Sequence, residues 1–277
     1  MTPSDILLTD QVAIITGGAN GIGKGIAVAM AQFGAHIVIA DTDVKNGEKT
    51  AREIKELDRD ALFIETNVAD SDDVRSMINQ ARARFGRLDI LVNNAGGTRQ
   101  IPFVDHSERS WKRHIDLNLM SMLNATQAFA KTQVEDKRGG CIINIASSEG
   151  LRAAPGYAVY AACKAGMVSF TRTMAIELSP EHIRVCALAP DMIMTPGLKP
   201  FYDAATAEEV AARDRYIPLG RIGDVDEMGG AAVFLASSMA SYITGVVIPV
   251  DGGTIASSGW TKSTEGDWAL YHAVENS

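Results

Sequence analysis

Between residues 12 and 250, apolar runs of strand length alternate with longer stretches whose apolar positions recur at helical spacing. The runs VAIIT, HIVIA, DILVN and CIINIA are apolar at nearly every position rather than at every second one. A strand of that kind is covered on both faces, as in a parallel sheet packed between helices. The pattern predicts strands over residues 12–16, 36–40, 62–66, 90–93, 141–145, 183–189 and 246–250. Between them it predicts helices over 22–33, 44–57, 71–85, 108–134, 157–178 and 225–237. Such alternation builds a doubly wound α/β fold, here a mostly parallel, seven-stranded sheet with helices on both faces. No linker or repeat divides residues 1–277, which are read as one catalytic and cofactor-binding domain with its core over 10–253. Two segments fall outside the alternation: an insertion over 191–217, and a tail over 254–277 carrying Trp260, Trp268 and Tyr271. Both are expected to shape a substrate pocket.

Composition narrows the class. With 46% hydrophobic residues in 277, the chain can bury a sizeable core. No apolar run reaches membrane-spanning length, and the first residues, MTPSDILLTD, lack the form of a secretion signal. Lys and Arg total 26 against 34 Asp and Glu, a net charge of −8 without the basic stripe of a nucleic-acid surface. Cys141, Cys163 and Cys186 lie far apart in apolar runs, which suits reduced thiols and a cytoplasmic location. The five histidines form no metal-binding pair, so no metal is expected.

The first candidate chemistry follows strand one, at Thr16-Gly17-Gly18-Ala19-Asn20-Gly21-Ile22-Gly23. Glycines let the chain turn sharply and bring its backbone close to a pyrophosphate, which the next helix meets with its free N–H groups. A purely structural turn is the competing reading. Gly18 to Lys24 also fits the spacing of a triphosphate-binding loop, but Gly25 stands where that loop needs a magnesium-binding hydroxyl. Asp41 ends the second strand. A carboxylate there accepts hydrogen bonds from the adenosine ribose and repels a 2′-phosphate, which points to NAD.

The second is Tyr160-Ala161-Ala162-Cys163-Lys164 near a helix start. Residues four apart share a helix face, so phenol and ammonium can address one bound molecule. A tyrosine of ordinary pKa is a poor base near neutrality, and neighbouring positive charge is expected to lower that pKa.

With these motifs the chain resembles the short-chain dehydrogenase/reductase family over about residues 10–253, on TGGANGIG, Asn93-Asn94-Ala95-Gly96, Asn118, Ser147 and YAACK. The resemblance implies a Rossmann-type fold and a hydride transfer between NAD(H) and a secondary alcohol or ketone. It implies Tyr160 as general acid/base and Ser147, thirteen residues earlier, as donor to the substrate oxygen. Lys164 would hold the nicotinamide ribose, and Asn118 would anchor a relay water. As cofactor contacts it implies Gly17, Asn20, Gly21, Ile22, Gly23, Asp41, Asn67, Val68, Asn94, Ala95, Gly96, Tyr160, Lys164, Pro190, Ile193 and Thr195. Asn67 departs from the usual Asp and Asp191 from the usual Gly; Val225 or Asp226 stands where the family often has Pro before a helix. A homotetramer is implied, with the helix near 225–237 and the last strand at an interface. Leu151, Pro155, Met192, Met194, Leu198, Phe201 and Tyr202 suggest a lipophilic, cyclic substrate, while Arg99 and Arg152 are single candidates for an anionic group that read rather as surface residues. A non-catalytic NAD-sensing or scaffold protein and an NAD-dependent epimerase or dehydratase are the other readings.

Overall fold

The computed structural model describes residues 2–270. Seven strands, β1 (Val12–Thr16), β2 (His36–Asp41), β3 (Ala61–Glu65), β4 (Ile90–Asn93), β5 (Gly140–Ile145), β6 (Ile183–Pro190) and β7 (Val247–Val250), form one parallel sheet in the order β3-β2-β1-β4-β5-β6-β7. The expected architecture is therefore the observed one. Along β1, Ala13 and Ile15 enter the core on one sheet face, while Val12 and Ile14 enter it on the other. Each buried aliphatic side chain of this size contributes about 1.5–3 kcal/mol of transfer free energy. That is why the strand shows no polar position before Thr16.

The first face packs on α1 (Gly21–Gln32), α2 (Val44–Lys55) and α9 (Val225–Ala236), the second on α3 (Ser71–Phe85) and α5 (Ser121–Glu135). The helices begin where the chain offers caps. Asp70 accepts from the backbone N–H groups of Asp72 and Asp73, and Gly86 closes α3 at φ 70°. Asp224 and Glu227 form a reciprocal capping box at α9, so the missing proline costs that helix nothing visible. The strand order reverses between β1 and β4, and a cleft opens there beyond the carboxyl ends of the strands.

Three expectations change in detail. The helix expected over 108–134 is α4 (Glu108–Ile115), a π turn (Asp116–Met120), then α5. The insertion carries two helices, α7 (Lys199–Asp203) and α8 (Ala207–Tyr216). The tail forms a short turn of helix, α10 (Thr254–Ser257), and a two-residue hairpin of β8 (Thr261–Lys262) and β9 (Trp268–Ala269). Lys262 fastens it to the chain by donating to the Pro218 carbonyl at 3.3 Å and sitting 5.3 Å over the Trp268 ring. Tyr271 lies outside the described residues. Among those residues no helix is long and apolar enough to cross a membrane.

Candidate active site

The glycine turn and the loop after β4 are joined by the side chains of Thr16 and Asn94, each bonded to the other segment's backbone. Thr16 Oγ1 accepts from the amides of Asn94 (3.0 Å) and Ala95 (3.1 Å), and Asn94 Nδ2 donates to the carbonyls of Thr16 (2.9 Å) and Gly17 (3.0 Å). That closeness explains the glycines. Gly17 has φ 63°, and a Cβ on Gly23 would stand 2.1 Å from the Gly17 carbonyl oxygen. Gly23 is thus buried behind the turn, while Gly17, Asn20, Gly21 and Ile22 line the cleft. The cleft measures about 850 Å³, within the about 300–1,000 Å³ of typical small-molecule and cofactor sites.

Asp41, Asn67, Val68, Asn94, Ala95, Gly96, Tyr160, Lys164, Pro190 and Thr195 line it too. Asp41 Oδ2 accepts from the Ala19 amide and Oδ1 from the Asp43 amide, each at 3.0 Å. These bonds fix the carboxylate and leave a lone pair on each oxygen for a ribose hydroxyl. Ile193 is elsewhere: its side chain is buried in the core, bridging in parallel to Gly223. Across the cleft, α4 presents Arg109, Lys112 and Arg113, which the sequence reading did not single out. They recur at the i, i+3, i+4 spacing of one helix face, a signal that reading charges along the predicted helix exposes.

Two of the catalytic candidates, Tyr160 and Lys164, line the cleft together with Ile145 and Ala146, while Asn118 and Ser147 stand behind its lining. Lys164 is buried, donates from Nζ to the Ile145 carbonyl at 2.6 Å, and lies 5.6 Å from the centre of the Tyr160 ring. Burial presses its pKa down to about 8. The Tyr160 phenol moves the other way from the lowering expected. Burial raises it, a hydrogen bond with Ser147 opposes, and the charge of Glu149 adds to the rise. The Lys164 ammonium is aimed past the ring at a β5 carbonyl.

Asn118 is fully buried on the π turn. Its Nδ2 donates to the carbonyls of Gly97 (3.0 Å) and His114 (2.9 Å), and its Oδ1 accepts from the Gly97 amide (3.0 Å). A Cβ on Gly96 would meet Asn118 Oδ1 at 2.9 Å and Lys164 Nζ at 3.6 Å, so both flank that glycine. Beneath the site runs a buried polar ladder that the sequence reading missed. Asn93 Nδ2 donates to Thr126 Oγ1 (3.1 Å) and Asn144 Oδ1 (2.8 Å), and Asn144 Nδ2 donates to Thr171 Oγ1 (2.9 Å). Such pairing across β4, β5, α5 and α6 (Ala158–Glu177) fixes their ends in the buried interior.

On the substrate side, Arg152 is no surface residue. Its guanidinium donates to Tyr216 Oη (2.6 Å), Glu149 Oε1 (2.8 Å) and Asp191 Oδ1 (3.0 Å). Leu151, Met192 and Met194 are half-buried nearby in sequence, Phe201 is 76% exposed, and the Tyr202 ring lies 4.7 Å under Arg213. Among the described residues no group of three or more His, Cys, Asp or Glu could hold a metal ion.

Residues 17–254 match the family model described as enoyl-(acyl carrier protein) reductase. The chain is 38% identical over 248 residues, 89% of its length and 98% of the relative's, to the 3-oxoacyl-[acyl-carrier-protein] reductase FabG of Chlamydia muridarum. Among solved structures it resembles 7α-hydroxysteroid dehydrogenase complexed with NADH and 7-oxo glycochenodeoxycholic acid, at 31% identity and TM-score 0.85, over 91% of this chain and 97% of that one. It also resembles a protein provisionally described as a 2-deoxy-D-gluconate 3-dehydrogenase, from Agrobacterium tumefaciens with bound NADP, at 33% identity and TM-score 0.83, over 91% of this chain and 99% of that one.

Proposed function

We propose, for a chain that belongs to the short-chain dehydrogenase/reductase family and is an oxidoreductase of that family, a hydride transfer between NAD(H) and a secondary alcohol or its ketone. The observation carrying this reading is one cleft lined by Asp41, Tyr160 and Lys164, with Ser147 hydrogen-bonded to Tyr160 behind it. The residues fit a dinucleotide: the glycine turn leaves room against which no side chain could project, and Asp41 offers ribose acceptors. When bound, the nicotinamide supplies or accepts the hydride. The chain manages the proton and the charge on oxygen. Ser147 donates to the substrate oxygen, and Tyr160 protonates it in reduction or removes its proton in oxidation. Lys164 keeps a cation beside the phenol, and Asn118 positions the Gly96–Gly97 backbone between them.

Preference for NAD over NADP rests on Asp41, whose fixed carboxylate repels a 2′-phosphate. The half-buried Leu151, Met192 and Met194 support a lipophilic, cyclic substrate body. Assembly as a homotetramer is supported by β7, a sheet edge whose Val247, Ile248 and Val250 are only half-buried in the single chain, and a cytoplasmic location by the free, buried Cys141, Cys163 and Cys186. A panel of cyclic and acyclic ketones, followed at the NADH absorbance with NADH and NADPH in parallel, tests the reading. Turnover with NADH preferred supports it. NADH binding without turnover of any ketone or alcohol would return the chain to the sensor class.

A further inference from the structure

Three segments of the substrate side meet at one guanidinium. Glu149 lies two residues beyond Ser147, Asp191 just beyond β6, and Tyr216 at the end of α8. Arg152 binds all three, at 2.8, 3.0 and 2.6 Å. Asp191 is held from its other oxygen by Thr254 Oγ1 at 2.5 Å, where the tail begins. The side chains of Glu149 and Arg152 remain 24% and 25% exposed while that of Asp191 is 7% exposed, so the cluster opens to solvent through Glu149 and Arg152 over a buried Asp191. The Glu149 amide donates to Ser147 Oγ at 3.2 Å, and Pro190, the chain neighbour of Asp191, lines the cleft, which sets the cluster at the cleft's edge. One guanidinium between two carboxylates leaves the cluster with a net charge of −1.

We infer that Glu149, Arg152 and Asp191 form a specificity wall that selects an uncharged substrate bearing a hydrogen-bond donor, such as a second hydroxyl, and rejects one carrying a carboxylate or phosphate. Arg152 alone, as the sequence reads, suits an anion; in the fold its donors are turned to the two carboxylates and Tyr216. The part-exposed Glu149 carboxylate has spare lone pairs for a donor, the buried Asp191 adds its negative charge behind it, and an anion entering beside them meets a charge already overcompensated. Asp191, which stands where the family usually has glycine, supplies the second negative charge. This inference rests on the ketone-reductase reading of the same site.

The test uses matched ligands, 3-(hydroxymethyl)cyclohexanone against 3-oxocyclohexanecarboxylate for turnover with NADH. Cyclohexylmethanol against cyclohexanecarboxylate gives affinity by calorimetry in the presence of NADH. Glu149→Gln and Glu149→Gln/Asp191→Asn keep the hydrogen bonds to Arg152 while taking the cluster from −1 to 0 and then to +1. The neutral member should lead by about tenfold or more in wild type, with the ratio moving toward the anion by several-fold per charge removed. NADH affinity, measured by fluorescence, checks that each variant is folded. A wild type that handles both members equally, or folded variants with unchanged ratios in both assays, overturns the wall. Predicted affinity ratios with no turnover would instead defeat the ketone-reductase reading and leave the wall standing.

Discussion

The two sides of the cleft hold their shape by different means. On the cofactor side the glycine turn, the β4 loop and the Asp41 carboxylate are locked by short hydrogen bonds to backbone, and a single added methyl at Gly23 would collide with a carbonyl. On the substrate side, α8, the β6 loop and the tail are gathered through long side chains, chiefly Arg152, Lys262 and Arg213. Backbone locking tolerates few residue types. Side-chain tethering tolerates many and can be re-aimed by one substitution. The first arrangement suits a cofactor of constant shape, and the second a substrate that differs from one relative to the next.

The largest effect expected from breaking the comparison lies where the sides meet. Tyr160→Phe keeps the ring and removes the proton carrier, so kcat should fall by about 10²-fold or more with NADH affinity unchanged. Steady-state kinetics beside fluorescence titration measures both, and near wild-type kcat would remove Tyr160 from its role. The pH profile follows from the same residue. Oxidation needs the phenolate, and the raised phenol pKa means its rate should still be climbing, by up to about tenfold per pH unit, above neutrality. Reduction needs the phenol and stays level until Lys164 begins to lose its proton near about 8. An oxidation rate flat from pH 6 to 9 would contradict this.

Asp41→Ala should narrow the preference for NADH over NADPH by about tenfold, chiefly through weaker NADH binding, as one charge-assisted contact is lost. A preference that does not move would mean the discrimination lies elsewhere, with Arg109, Lys112 and Arg113 the first residues to examine.

A smaller effect concerns stability. Lys164 is buried with a folded pKa of about 8 against 10.5 when exposed. Below pH 8 both folded and unfolded chains carry the proton, so the full cost is borne there. Between 8 and 10.5 the unfolded chain binds more protons, and stability should rise with pH. That cost is on the order of 3 kcal/mol at pH 7, offset in Lys164→Met by about 1–2 kcal/mol for the unpaired Ile145 carbonyl. The variant should therefore unfold about 1–2 kcal/mol later in denaturant while losing activity; a net loss of stability would show that Lys164 is not strained.

The smallest effect is expected from deleting residues 259–277. The hairpin rests on Pro218 beside α8, so substrate KM should rise a few-fold or the assembly change, with NADH affinity kept. Unchanged KM and unchanged mass by light scattering would show that the tail does neither.

The same division explains what the sequence made legible. The central strands read clearly because both faces of each are buried, as Ile14 and Ile15 show, and the turn because Gly17 and Gly23 permit nothing else. The π turn at Asn118 was not legible, since it is made by side-chain bonds to Gly97 and His114 rather than by any break in helical spacing. Arg152 misread as surface for a related reason: its partners come from positions 149, 191 and 216, and only the fold brings them together. The phenol of Tyr160 departed from expectation because its burial, and the charge of Glu149 near it, are properties of packing.

The central claim is hydride transfer from NADH to a carbonyl carbon, with the proton delivered by Tyr160. The most direct measurement supplies NADH deuterated at the transferring position and the best ketone of the panel, and locates deuterium in the alcohol by mass spectrometry and NMR. The account predicts one deuterium on the carbinol carbon with wild type, and alcohol formation reduced by about 10²-fold with Tyr160→Phe. Alcohol formed without deuterium at that carbon, or formed at the wild-type rate by Tyr160→Phe, would contradict it.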